Sequence, residues 1–488
     1  MFANVLNKIR RQEKAPSCPL DEDINEFNVT TEQGSSIYDE RQLSNKQSLA
    51  FTAGSSNYDE KQLSNKPSFP FTTEPDEEED EFAEDASDFP DGGWRAWVVV
   101  FGAWCAMMST FGVVNSAGFL QAWLTEHQLK GMPESKVSWI FSVYSFLFFF
   151  GGVQVGPIFD TYGLKYLLIP GCIGTVLSIF FLSLSSQYYQ FMLGYGVLGG
   201  FSASLVFTPS IASVGHWFYK RRGLATGIAE TGGAVGGLVF PLAMNKMMPE
   251  LGYGWTIRII GFIILGLVIG TLLTLRTRLP LNKKAGAAVD FKSLKDPRFA
   301  FTCLGTYMLQ WGIFIPLNYI TTYALSHGVN ETLAYQILPF LAAGSIFGRS
   351  LPAYVADLWG RFNVMIVTAL ITSVMCLALW IPAGSNLTAI ISFAVLFGFW
   401  SGTGICLTPV CVSQVCRTED YGKRYGTCYF FVSFGVLTGL PIAGEIMKRQ
   451  NGSYTGLIIF AGATYFCGAI SFLVARILGG GWKLNKIY

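Results

Sequence analysis

From Ala96 onward the chain repeats one pattern twelve times: an apolar segment of about 20 residues, then a polar connection. A bilayer's hydrocarbon core is about 30 Å thick, which ~20 helical residues cross. Inside it every backbone polar group must be satisfied within the segment, so the pattern predicts an all-α polytopic membrane protein with twelve transmembrane helices. Composition agrees: 51% of residues are hydrophobic and 14% charged, where a soluble domain carries roughly 25% charged residues. The 53 glycines and 40 phenylalanines match the usage of membrane helices. A net charge of +1 leaves no field to hold a polyanion, so no nucleic-acid partner is expected.

The longest polar gap between spans, Arg276 to Arg298, follows the sixth and carries seven of the basic residues. It divides the chain into two six-helix halves, 92–275 and 299–477, joined by a linker over 276–298 and followed by a short tail over 478–488. Within the first half, spans five and six are expected over Gly223 to Met247 and Thr256 to Leu275. Residues 1–91 read differently. A segment beginning Gly34-Ser-Ser-Ile-Tyr-Asp-Glu-Arg recurs at Gly54-Ser-Ser-Asn-Tyr-Asp-Glu-Lys with a period of 20, and the acidic run Glu74 to Glu81 follows. Two polar copies cannot bury a core, so this part is expected as a solvated, disordered tail. Its serines, such as Ser44 and Ser64, are either phosphorylation sites or parts of a plain tether. Met1 to Leu20 has charges but no apolar stretch of signal-peptide length, so none is expected there.

Lys and Arg accumulate in cytoplasmic loops. The even-to-odd connections hold Lys165, Lys220, Arg221, Arg222, the linker cations, Arg361, Arg417, Lys423 and Arg424, while the opposite loops hold far fewer. Both termini are therefore expected in the cytoplasm, in the plasma membrane of the cell. The sequons at Asn330, Asn386 and Asn451 then all fall in outer loops, as glycosylation requires. The ten cysteines form no paired set in an outer loop, and Cys406, Cys411 and Cys416 repeat every five residues with no histidine near them, so neither a disulfide framework nor a metal site is expected.

Two connections carry the chemistry. Gly156-Pro-Ile-Phe-Asp160-Thr-Tyr-Gly163-Leu-Lys165 places a carboxylate at a helix end, then a turn glycine and a cation; Asp357-Leu-Trp-Gly360-Arg361 repeats the arrangement in the second half. Asp160, Lys165, Asp357 and Arg361 are candidate gating residues, the carboxylates binding basic groups or helix ends across the halves. This recurrence resembles the signature loop of the major facilitator superfamily, with Thr161 and Leu164 where its pattern often has arginines. Phe89-Pro-Asp91-Gly92-Gly93-Trp94-Arg-Ala-Trp97 and Trp217-Phe-Tyr-Lys220-Arg221-Arg222-Gly223-Leu-Ala-Thr-Gly227 further resemble the two signatures of the monocarboxylate-transporter family, in its fungal branch, and the similarity runs from Pro90 to Ile477. Members of that branch carry different cargo: carboxylates, riboflavin and exported secondary metabolites. The resemblance implies a first-helix lysine, where this chain has Asn115, and an eighth-helix aspartate and arginine, of which Arg349 is present and the aspartate is replaced by Ser345. These departures argue against proton-coupled lactate transport.

Two ionisable residues fall deep in spans: Glu230 lies ~12 Å into the fifth helix, and Arg349 similarly deep in the eighth. Intramembrane charges are functional hypotheses by default. Since the resemblance sets helices five and eight face to face, Glu230 and Arg349 are expected to pair in one conformation, with Glu230 a proton carrier, half of a permanent ion pair, or a side chain that reaches cytoplasmic water. Gly223, Gly227, Ala234 and Gly237 form a small-residue stripe for close packing, and Gly232 to Gly237 is loosely like the superfamily's antiporter motif. Helices one, four, seven and ten of the superfamily line the substrate cavity. That implies Asn115, Tyr195, Tyr307, Gln310, Phe314, Asn318, Phe399 and Thr403, with Arg349, as the substrate site, suited to a planar or partly apolar organic molecule. Trp94, Trp97, Trp123 and Trp139 read as interface anchors.

No Ser/His/Asp, phosphate-loop or His-metal spacing accompanies His127, His216 and His327, so neither catalysis nor a cofactor is expected. The reading is a secondary transporter working by alternating access, with export of a secondary metabolite or organic acid preferred. An uptake carrier for a monocarboxylate or riboflavin-like vitamin and a non-transporting nutrient sensor stand as alternatives. Partners are then a small organic substrate, the lipid bilayer and protons; the sequence leaves the oligomeric state open.

Overall fold

The computed structural model describes residues 89–279 and 290–481. The duplicated segment, the acidic run and the last seven residues lie outside the described residues. Among the described residues all regular structure is helical. Ten segments are long and apolar enough to cross a membrane. One of them, Arg222–Thr274, runs 53 residues but holds Gly252 at φ 76° and ψ 162°. Only glycine reaches that backbone region cheaply, so the chain turns there and the segment is two helices. Glu331–Trp359, whose charged residues lower its hydropathy, completes the twelve.

We number them α1 (Trp94–Asn115), α2 (Lys136–Tyr162), α3 (Lys165–Leu184), α4 (Tyr188–Gly215), α5 (222–251), α6 (253–274), α7 (Pro297–Ser326), α8 (Glu331–Trp359), α9 (Arg361–Ala383), α10 (Leu387–Gln414), α11 (Tyr421–Arg449) and α12 (Thr455–Gly480). A further helix, Ala117–Glu126, prolongs α1. The connections after α2, α4, α8 and α10 lie at one end with both described termini; we call this the terminal end.

Small residues decide which helices touch, because lipid-facing apolar surface gives no preference of its own. The glycines of α5 serve two neighbours. Gly236 meets Gly112 of α1, an added Cβ falling 2.7 Å from its Cα, while Gly227 lies so close to the Arg349 carbonyl of α8 that a Cβ there would overlap it. Likewise Gly152 and Gly426 let α2 and α11 approach, a Cβ on Gly426 overlapping the Gly152 carbonyl. The two halves therefore meet through α5 against α8 and α2 against α11.

Ahead of α1 the described chain folds back onto the connection into α5. Asp91 adopts φ 46°, and its Oδ1 accepts from the N–H groups of Tyr219, Lys220 and Arg221 at 2.7, 2.8 and 3.2 Å. A carboxylate ahead of a helix satisfies N–H groups that have no partner inside it and complements the positive end of its dipole. Phe89 is buried under the guanidinium groups of Arg222 and Arg278, 5.9 and 5.2 Å from its ring centre.

Candidate functional site

At the terminal end the two recurring carboxylates act alike, each capping a helix of the opposite half. Asp160, at the end of α2, accepts from the N–H groups of Gly422 and Lys423 at the start of α11, at 3.2 and 2.7 Å. Asp357, at the end of α8, accepts from Gly223 and Leu224 at the start of α5, both at 2.8 Å. Arg361 adds a second tie by donating to the Tyr219 carbonyl at 2.5 Å, while Lys165 is exposed. Buried Arg222, which the sequence places in a basic loop and in the second signature, donates to Gly215 O at 2.6 Å and across the halves to Thr418 Oγ1 at 3.1 Å. Thus the carboxylates take helix ends across the halves, with Arg361 Nε of its own half 3.9 Å from Asp357 Oδ1, and the end they close is the terminal one.

About two turns deeper, Arg349 and Glu230 do meet. Their Nη1 and Oε2 atoms are 3.3 Å apart, and the two side chains are 2% and 1% exposed. Arg349 Nη1 also donates to the Glu230 carbonyl at 2.7 Å, Nε donates to Ser345 Oγ at 3.2 Å, and the guanidinium lies 5.2 Å from the centre of the Phe111 ring. Ser345 stands where the resemblance implies an aspartate. Here the carboxylate comes from α5 instead, and the serine hydroxyl holds the arginine in line.

Around this pair the midplane is filled by rings from both halves. Phe149 of α2 stacks on Tyr429 of α11, with centroids 5.4 Å apart and planes at 29°, and meets Phe314 of α7 edge-on at 6.4 Å. Phe207 of α4 lies 6.2 Å from Tyr425 and 5.8 Å from Tyr429. Of these only Phe314 was expected. The others sit in apolar segments where many phenylalanines alternate, and no periodicity marks which of them face the opposite half.

The remaining expected substrate residues are dispersed. Gln310 is buried one turn before Phe314 and its Oε1 has no hydrogen-bond partner. Asn115 turns its amide to the Gly233 carbonyl of α5 at 3.1 Å, and Asn318 is exposed with its amide on Phe314 O at 2.7 Å. Tyr307 packs on Trp311 at 5.2 Å and against Gly435 of α11. Phe399 lies edge-on to Trp400, and Thr403 bonds the Gly348 carbonyl at 2.9 Å, inside the contact of α8 with α10. Tyr195 is not brought to the boundary between the halves: it is fully buried and stacked 4.7 Å from Tyr144 of its own half. It lies in a π-helical stretch, Phe191–Val197, and the extra residue in that turn rotates the face that a 3.6-residue period predicts. Cys406 donates to Arg349 O at 3.3 Å, a packing role. The sequon residues Asn330, Asn386 and Asn451 are exposed at the end opposite the latches, and Asn386 also caps α10 through Thr388 and Ala389.

Two six-helix halves held by mirrored latches around a midplane charge pair form a secondary transporter. The chain belongs to the Major Facilitator Superfamily, whose sequence profile matches residues 99–439. It is 39% identical to the MFS transporter asaE of Aspergillus flavus over 416 residues, covering 85% of this chain and 94% of that one. It is 35% identical to the Fujikurins efflux protein of Gibberella fujikuroi, covering 82% and 86%, and 34% identical to the Riboflavin transporter MCH5 of Saccharomyces cerevisiae, covering 84% of each. Among solved structures, the Escherichia coli fucose:proton symporter FucP superposes with a TM-score of 0.60 at 16% identity, covering 79% of this chain and 98% of that one. The protein is thus a membrane transporter of small molecules and not an enzyme.

Proposed function

We propose that the protein exports a small organic metabolite across the plasma membrane by alternating access. The observation that carries this is the mirrored latch, Asp160 on α11 and Asp357 on α5, which closes one end of the boundary between halves. Basic residues crowd that end, from Lys220 to Arg222 and at Arg361, Lys423 and Arg424, which by the positive-inside tendency makes it cytoplasmic, with both termini. The conformer is then closed on its cytoplasmic side. The relative named as an efflux protein supports the direction, and the signatures at Asp91 and Trp217 support a place in the monocarboxylate-transporter-like branch.

In this reading Glu230 takes up a proton when it parts from Arg349, and Asn330, Asn386 and Asn451 are glycan acceptors on the outer face. Gln310, Phe314 and Arg349 contact cargo, which is bound while Arg349 and Glu230 are paired and released before they part. The decisive measurement compares metabolites inside and outside cells that lack or overproduce the protein, with and without a protonophore. A compound trapped inside the deletion strain establishes export and names the cargo. A second reading, a vitamin carrier working inward, is favoured by the relative named as a riboflavin transporter; it predicts a compound lost from uptake instead. Binding without net flux in either direction would assign the protein as a sensor.

A further inference from the structure

The rings at the midplane belong to both halves, so they cannot stay together through a transport cycle. Opening the terminal end pulls α11 from α2, and with it Tyr429 from Phe149 and Tyr425 from Phe207. The faces so uncovered lie at the depth of the Arg349–Glu230 pair, where cargo entering from the terminal end arrives. Phe149 and Phe207 are at most 2% exposed and Tyr425 is fully buried, so these faces have no solvent contact while the halves are together. Aromatic faces separated by the width of a further ring are matched by a flat π-system, whereas an aliphatic chain fills the gap without the offset or edge-on ring geometry that such pairs favour.

The polar groups at this level restrict the cargo further. Arg349 is committed to Glu230 and Ser345, and Glu230 to Arg349, so this charge pair neutralises itself. Gln310, 3% exposed on the face of α7 that carries Phe314 one turn on, keeps its Oε1 without a partner. A buried carbonyl oxygen of this kind is an acceptor that a cargo N–H or O–H satisfies.

We propose that the cargo is an uncharged, planar conjugated ring system with at least one hydrogen-bond donor, held between Phe149 and Tyr429 with its donor on Gln310 Oε1. This rests on the transporter reading and names the substrate class of its site. It makes Phe149, Phe207 and Tyr429 specificity residues that no motif marks.

The test uses the full-length chain purified in lipid nanodiscs, with lumichrome and 2-quinolone as uncharged planar probes and octanoate as an aliphatic acid, read by equilibrium dialysis. The planar probes are expected to bind and octanoate not to. Phe149→Leu and Tyr429→Leu should each weaken planar binding about tenfold. Gln310→Leu should weaken 2-quinolone by a similar factor yet leave N-methyl-2-quinolone, which lacks the donor, unchanged. Unaltered melting temperature and gel-filtration profile separate these losses from misfolding; a variant that fails this check is replaced by Phe149→Met or Tyr429→Met. Octanoate binding as tightly as the planar probes, or planar binding indifferent to all three substitutions, overturns the proposal. The compound trapped by the deletion strain provides an independent test. An aliphatic or charged compound overturns the ring assignment and leaves export standing, whereas no trapped compound together with intact ring-dependent binding overturns export alone.

Discussion

Arg349 and Glu230 show what a membrane interior does to charge. Each would be expensive alone, and together they sit with 2% and 1% exposure, each supplying the other's counter-charge. Removing one partner of such a pair typically costs about 3–5 kcal/mol, whereas removing both can be neutral. Glu230→Gln is accordingly expected to lower the melting temperature, and Glu230→Gln with Arg349→Met to recover most of the loss, measured by thermal unfolding in detergent. The same Glu230→Gln change should leave transport insensitive to a protonophore; an unchanged pH response would remove Glu230 as the proton carrier. His216 makes a second residue-scale prediction. It lies in the connection after α4, buried against Phe159 with Arg278 bonded to its carbonyl at 3.0 Å. Burial, and then the charges of Arg222 and Arg278, lower its pKa from 6.5 to about 3. The folded state thus favours the neutral ring. The stability it contributes is complete above 6.5 and is lost as pH falls from there towards 3. His216→Gln should flatten that part of a melting-temperature profile against pH.

At the scale of elements, the latch is a set of helix caps made across a moving boundary. A carboxylate that accepts two backbone N–H groups is a strong tie, since bonds to a charged group are worth about 1.5–3 kcal/mol each. Asp160→Asn or Asp357→Asn keeps the shape and removes the charge. Each should shift the population towards the terminal-open state by about tenfold, a change of ~1.4 kcal/mol. Maleimide labelling of Cys416, buried just past α10 at that end, would report it by peptide mass spectrometry. Glycine replacement pushes the same way by a different mechanism. A Cβ at Gly227 or Gly426 overlaps a backbone carbonyl of the other half, and backbone cannot rotate away as a side chain can. Gly227→Ala and Gly426→Ala should therefore hold the terminal end open, abolishing net transport while leaving the amount of folded protein unchanged on gel filtration.

For the whole molecule, the strap from Phe89 to Asp91 ties the approach to α1 onto the connection into α5. Because Asp91 caps the connection into α5 and Phe89 lies under two arginines, a chain lacking residues 1–88 should transport at a rate within about twofold of the full chain, whereas one lacking 1–93 should lose transport and thermal stability together. Twelve spans, two halves and the recurring aspartates were legible in the sequence because bilayer thickness imposes a length and loop chemistry recurs at fixed positions. Glu230 and Arg349 were legible for the same kind of reason: a charge in an apolar run stands out. The partners were not. That Asp160 finds Lys423 N–H, that the missing α8 carboxylate is supplied by α5, and that Phe149 faces Tyr429 while Tyr195 faces inward all depend on helix rotation and tilt. In a membrane those are set by close packing of small residues and by turns such as the π-helical stretch in α4, and apolar periodicity is silent about them because lipid and protein neighbours are equally apolar. The sequence by itself determined the number of crossings, their grouping and the buried charges; the tertiary structure alone decided which faces meet, and with them the shape of the site.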